Sequence, residues 1–229
     1  MLPRSCLVRS HSAANWRSNP RPWHSQSFPL LTEGEVEQVV SELSKVRFVD
    51  GKSSRPSPIL SGIDELVFDA LHRNQQFQLF AHPKRIIPPT YTRYEPGVRY
   101  SGDLKHAIDG VADQLRPDLV MTLFLSQPDS CDGGGLAIES PLGEKEIKLD
   151  AGKAIVHPAN MLHHVTPVTR GVRMTAVFWI QSTVPDSRLR PILQDLGKAV
   201  MDAETAGDAG LASRLSRAYY NLLRHVSDL

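Results

Sequence analysis

His163, Arg173 and the residues around them hold the densest chemical potential in the chain. Residues 152–181 read as a short apolar strand, a turn, a strand carrying His163 and His164, a Thr169-Arg170-Gly171 turn, and a β-branched and aromatic strand from Arg173. With the turn centred on Arg170, Arg173 lies opposite Pro167. Pro167 shares a face with His163, because strand side chains alternate with a period of two. The separation is then roughly 13 Å at ~3.3 Å per residue. That span suits an extended dicarboxylate, one end chelating a metal at His163 and the other gripped by Arg173. A guanidinium fits the second task because its planar fork binds a carboxylate bidentately. The same pair is also compatible with a purely structural role. His163 and His164 are adjacent and face opposite ways, and parity selects His163 as the inward one. His157 either lines the same cavity or, as the better reading, is a satisfied surface histidine.

The elements that must position these residues follow from pattern. The 229 residues are 41% hydrophobic and 22% charged, enough apolar surface for one globular domain with additions. A net charge of +1 gives no field suited to nucleic acid or an acidic membrane. No apolar run approaches the ~20 residues of a membrane span. Cys6 and Cys131 are too few and too far apart for a disulfide framework, which makes a reducing, cytoplasmic compartment the default. Residues 1–29 carry Arg4, Arg9, Arg17 and Arg21 and no acid. Such a leader can be a transit peptide, the plainer reading being a disordered or mispredicted extension.

Globular sequence starts at residue 30. Thr32 and Glu35 form a capping box opening an amphipathic helix to about Lys45. Residues 48–51 look like a strand and turn, 52–61 like a Ser- and Pro-rich loop, and 62–74 like a second helix. From Ile86 the texture is β: alternation over 90–94, a buried run over 119–126, a hairpin about Pro141-Leu142-Gly143, then the strands of the opening segment. Short strands at regular spacing imply a sandwich or jelly roll. Helical periodicity returns over 189–203 and 209–226. The expected division is 30–85 helical support, 86–184 β-roll and 185–229 C-terminal helices, a mainly β fold with flanking helices.

Beyond these patterns the chain resembles a known family. The run from Leu125 to Gly134, which includes Pro128-Asp129-Ser130-Cys131-Asp132-Gly133-Gly134, carries the resemblance together with residues 157–173 and Phe178-Trp179-Ile180-Gln181-Ser182. These are similar to the PKHD-type hydroxylases, Fe(II)- and 2-oxoglutarate-dependent dioxygenases of the prolyl 4-hydroxylase type. The similarity covers residue 31 to the C-terminus and extends to Tyr220-Asn221-Leu222-Leu223-Arg224. It implies a double-stranded β-helix (jelly roll) core, iron held by a His-x-Asp pair and a distal His, and an Arg ten residues later that binds 2-oxoglutarate. His163 and Arg173 match the last two positions. The implied reaction is oxidative decarboxylation of 2-oxoglutarate coupled to hydroxylation of a C–H bond. Ascorbate would be an accessory reductant, and the prime substrate a small molecule or peptide. The sequence leaves room for a homo-oligomer, and its charge and apolar pattern point to no nucleic acid or membrane partner.

The proximal motif departs from the family. After the Arg93-Tyr94-Glu95-Pro96-Gly97 turn, ungapped alignment sets Asp103 at the metal His and Lys105 at the Asp. Asp103 can still donate an oxygen. A Lys105 ammonium ~4 Å from a dication would be opposed by about 8 kcal/mol at an effective dielectric near 20. His106 and Asp109 supply the right residue types one residue too far apart, so convergence needs a bulge or turn between them. Gly135 replaces a glutamate. Three readings stand: a hydroxylase, impaired or not; a non-catalytic β-roll retaining a 2-oxoacid pocket at Arg173; and a metal protein using His157, His163 and His164, which strand parity disfavours.

Overall fold

The computed structural model describes residues 25–53, 57–97, 115–140 and 143–228. Its core is two sheets packed face to face. The larger is eight-stranded, built on β1 (Gln26–Pro29), β2 (Phe48–Val49), β3 (Lys52–Ser53), β4 (Pro83–Ile86), β5 (Thr90–Tyr94) and β6 (Leu119–Phe124). After β7 (Cys131–Asp132), β8 (Leu136–Ser140) and β9 (Gly143–Ile147), the sheet gains β10 (Lys153–Pro158). The chain then runs through β11 (His163–Val165) and β12 (Arg170–Gly171) before β13 (Arg173–Ser182) completes it. The order is β1-β10-β6-β13-β5-β3-β2, with β4 also on β13. The smaller sheet is β11-β8-β9, and β12 pairs with β7.

Alternation gives the large sheet two chemically different faces. Met121, Leu123, Val156, Ala176 and Phe178 point outward into the main hydrophobic cluster. There they meet α1 (Glu33–Leu43), α2 (Pro58–Arg73) and α3 (Gln75–Ala81) through Val39, Leu43, Leu60, Val67, Leu71 and Phe77. Phe68 of α2 sits edge-on to Phe178, with ring centroids 6.4 Å apart. The opposite parity, including Thr92, Tyr94, Thr122, Phe124, Ile155, His157, Arg173 and Thr175, faces the small sheet. The interior of the roll is therefore the polar face of a sheet whose outer face is its greasiest.

Helix starts follow their capping chemistry. Thr32 and Glu35 make the expected capping box. α2 starts four residues earlier than periodicity suggests, because Ser57 accepts from the Leu60 amide and Pro58 occupies the first turn, where its missing N–H costs nothing. The expected loop over 52–61 is thus partly β3 and partly α2. α3 escaped the pattern because it spans only seven residues; Asn74 caps it. β1 falls inside the expected N-terminal extension. Its four residues pair with β10, a length too short to show a period. The C-terminal helices α4 (Leu189–Thr205) and α5 (Ala209–Val226) pack on each other, and α4 packs on α3. No helix among the described residues is long and apolar enough to cross a membrane.

His82 ends α3 in the left-handed region, and its carbonyl accepts from the Thr183 amide at 2.7 Å, tying the helix to the end of β13. Its ring is 8% exposed and its Nε2 has no hydrogen-bond partner among the described residues. Burial, aided by Arg190, holds its pKa at about 4. The unfolded chain therefore takes up a proton from pH ~6.5 downward that the folded chain refuses until about 4. Stability should be full above pH ~6.5 and fall through that window by up to about 3 kcal/mol, at ~1.36 kcal/mol per unit. His82→Asn, which tolerates the positive φ, should flatten the slope of urea midpoints against pH. An unchanged slope would take His82 out of the acid response.

Candidate functional site

The structure brings His163 and Arg173 into one interior by a route different from the one the spacing suggested. Arg170–Gly171 is not the centre of a hairpin; it forms a short ladder with β7, where Arg170 makes a bidentate pair with Asp132 at 2.7 and 3.0 Å. β11 and β13 consequently belong to different sheets. His163 reaches the interior from the small sheet and Arg173 from the large one, so their parity along a common sheet has no meaning.

Arg173 is 3% exposed. Its Nη1 donates to Thr175 Oγ1 at 3.1 Å, and that hydroxyl lies 2.7 Å from Thr92 Oγ1. The guanidinium carbon sits 5.8 Å from the Tyr94 ring centroid and 5.9 Å from that of Phe124. Phe124 packs in turn with Leu136, Ile138, Ile155 and Met161. Ile138 is the register partner of His163, so this apolar cluster links the two poles of the site. The register sets Thr175 level with Phe124 and His157 level with Val120, four residues apart on β6 or about 13 Å of strand.

At the other pole His163 Nδ1 lies 2.9 Å from the Met161 carbonyl oxygen. A carbonyl only accepts, so Nδ1 carries the proton and Nε2 keeps its lone pair, the state in which imidazole binds metals. Burial pushes the His163 pKa down and favours that neutral form. His157 is no surface histidine: it is 0% exposed, and its ring centroid lies 4.6 Å from that of His163. It sits on the inner face because its parity on β10 is that of Ile155. His164 points the other way, with Nδ1 3.7 Å from Glu144 Oε2. The three histidines therefore do not converge. His164, Glu139 and Glu144 cluster instead on the exposed side of the small sheet.

Asp103, Lys105, His106 and Asp109 lie outside the described residues. Sequence reading missed Thr92, Tyr94, Phe124 and Thr175 as neighbours of Arg173. Their signal was the alternation of β5, β6 and β13, which sets them all on the Arg173 face once the strands are paired. The space beside Gly135 is filled by Glu146, whose carboxylate accepts from Thr166 Oγ1 at 3.0 Å; a Cβ at Gly135 would fall 2.1 Å from its Oε1. A cavity of about 900 Å³ opens elsewhere, between β1, β9 and α4, and is lined by Gln26, Lys145, Lys148 and Lys198 among others. It contains none of the candidate residues.

The Arg173 pole depends on close backbone packing. Gly133 has φ +70°, and a Cβ there would come within 1.9 Å of the Pro167 carbonyl oxygen. Gly134, next to it, lies against Arg173 and Val168. Gly133→Ala combines a left-handed penalty of ~1–2 kcal/mol with a backbone overlap that no rotamer relieves. The expected loss is about 3 kcal/mol in all, or roughly 6–12 °C in Tm for a domain of this size. A shift of less than about 2 °C on thermal unfolding would show that the Pro167 segment yields freely.

No family model matches the chain. Individual relatives do. A PKHD-type hydroxylase of Burkholderia ambifaria is 42% identical over 221 residues, 87% of this chain and 96% of that one. One of Bordetella pertussis is 34% identical over 220 residues, covering 87% and 97%. Among solved structures, HygX from Streptomyces hygroscopicus, determined with nickel, 2-oxoglutarate and hygromycin B bound, superposes with a TM-score of 0.50 at 14% identity, over 71% of this chain and 84% of that one. That likeness agrees with the jelly-roll core built here from two sheets. Identity of this level over nearly the whole length of the relatives, on the expected fold, places the chain in the PKHD-type hydroxylase family.

Proposed function

We infer that the chain is an Fe(II)- and 2-oxoglutarate-dependent hydroxylase in which His163 ligates the metal and Arg173 holds the far carboxylate of 2-oxoglutarate. The observation that carries this reading is the Arg173 guanidinium, buried inside the roll and fixed by Thr175 against Tyr94 and Phe124. In such surroundings an anion ~4 Å away gains about 4 kcal/mol at an effective dielectric near 20, against ~1 in water. The donor set fits a metal at the opposite pole, since His163 offers a bare Nε2 from a ring oriented by the Met161 carbonyl. Asp103 would add one carboxylate oxygen, whereas the His106 and Asp109 pair would complete a two-histidine, one-carboxylate set. The bound iron supplies the oxidising chemistry. The chain's own residues orient 2-oxoglutarate between two poles and, through the Phe124 cluster, keep water from the space between them.

Purified chain given Fe(II) and 2-oxoglutarate, with and without ascorbate, should release succinate in proportion to bound iron. Absence of succinate together with absence of Fe(II) binding by titration calorimetry would overturn the reading. Retained 2-oxoglutarate binding without iron would mark the roll as a non-catalytic oxoacid-binding module.

A further inference from the structure

We propose that His157 is a second imidazole ligand to the metal that His163 holds, a role resting on the metal reading above. Three observations converge on it. First, His157 is fully buried on β10, a strand hydrogen-bonded on both sides, yet its Nε2 has no hydrogen-bond partner among the described residues. An orphaned nitrogen of this kind is costly and rare in a packed interior, and a ligand to be bound accounts for it. Second, its Nδ1 lies 3.0 Å from the Pro158 carbonyl oxygen, just as His163 Nδ1 lies 2.9 Å from that of Met161. Both carbonyls accept, so both rings protonate Nδ1 and keep the Nε2 lone pair, and each has its tautomer fixed by a backbone group as metal-bound histidines do.

Third, the rings stand at the right spacing. An imidazole nitrogen ~2.1 Å from a metal puts its ring centre about 3.2 Å from that metal, and two such rings at ~90° have centres about 4.5 Å apart. The observed separation is 4.6 Å, with the planes inclined at 68°. Edge-to-face packing falls in the same range of spacing, but by itself it leaves the buried His157 Nε2 without a partner among the described residues.

The test is metal binding, read independently of turnover. Anaerobic Fe(II) titration calorimetry on the full chain would compare wild type with His157→Phe, which keeps the ring volume, and with His163→Ala. The Cu(II)-loaded proteins would be examined by electron spin echo envelope modulation to count coordinated imidazoles. Affinity should fall by more than about 100-fold in His157→Phe, beyond the 10–100-fold that an orienting residue costs, and the imidazole count should drop by one. Unchanged affinity and count in a folded His157→Phe, with binding lost in His163→Ala, would overturn the role of His157 and leave the hydroxylase reading intact. No metal binding by the wild type would overturn both. Should His157→Phe not fold, His157→Leu takes its place in the same comparison, and a single imidazole in the wild type excludes His157.

Discussion

His163→Ala is expected to abolish Fe(II) binding and to cut iron-dependent succinate formation by more than about 100-fold, since a direct ligand must count for more than the 10–100-fold of its supporting partners. The substitution removes the Nε2 that the Met161 hydrogen bond leaves bare. It does so with little structural damage, because His163 is half-buried on a three-residue strand whose ladder to β8 is made by the backbone. Thermal unfolding should therefore shift by no more than the equivalent of ~1 kcal/mol. The two readouts separate chemistry from folding. Wild-type Fe(II) affinity in the variant would remove His163 from the metal site.

Arg173→Met should weaken 2-oxoglutarate binding by about 30-fold to several thousand-fold. Truncating one partner of a buried charge pair costs ~2–5 kcal/mol, and ~1.4 kcal/mol is tenfold. Methionine keeps the length and apolar bulk needed between Tyr94 and Phe124. The Thr175 hydroxyl keeps its contact with Thr92. Arg173→Lys, a point charge without the fork, should recover only part of the affinity. Calorimetric titration with 2-oxoglutarate measures each variant. Undiminished affinity combined with a lowered Tm would make Arg173 a structural guanidinium.

Local physics was readable from the chain. The Thr32 and Glu35 box opened α1 as expected, and the helical periods over 189–203 and 209–226 became α4 and α5. Strand parity separated His163 from His164 correctly, since adjacent strand residues must face opposite ways. It failed at Arg170, where a hairpin was expected and the chain instead crosses from one sheet to the other. Turn residues signal a change of direction but not the sheet in which the next strand finds its partners. His157 was misread for a related reason: a histidine beside a Pro-Ala-Asn turn looks exposed until β1 and β6 flank its strand.

The sequence by itself determined the described helices other than α3, most of the strands, the residue types able to hold a metal and an oxoacid, and the family resemblance. Their assembly was decided only in three dimensions. That Arg173 rests on Thr175 between Tyr94 and Phe124, that His163 approaches it from the other sheet, and that His157 stands against His163 all follow from pairing between β5, β6, β10 and β13. Such pairing joins segments up to 87 positions apart, as the register pair Thr90 to Val177 shows. No local period encodes it; it is selected by burial of the outer face of the large sheet against α1, α2 and α3.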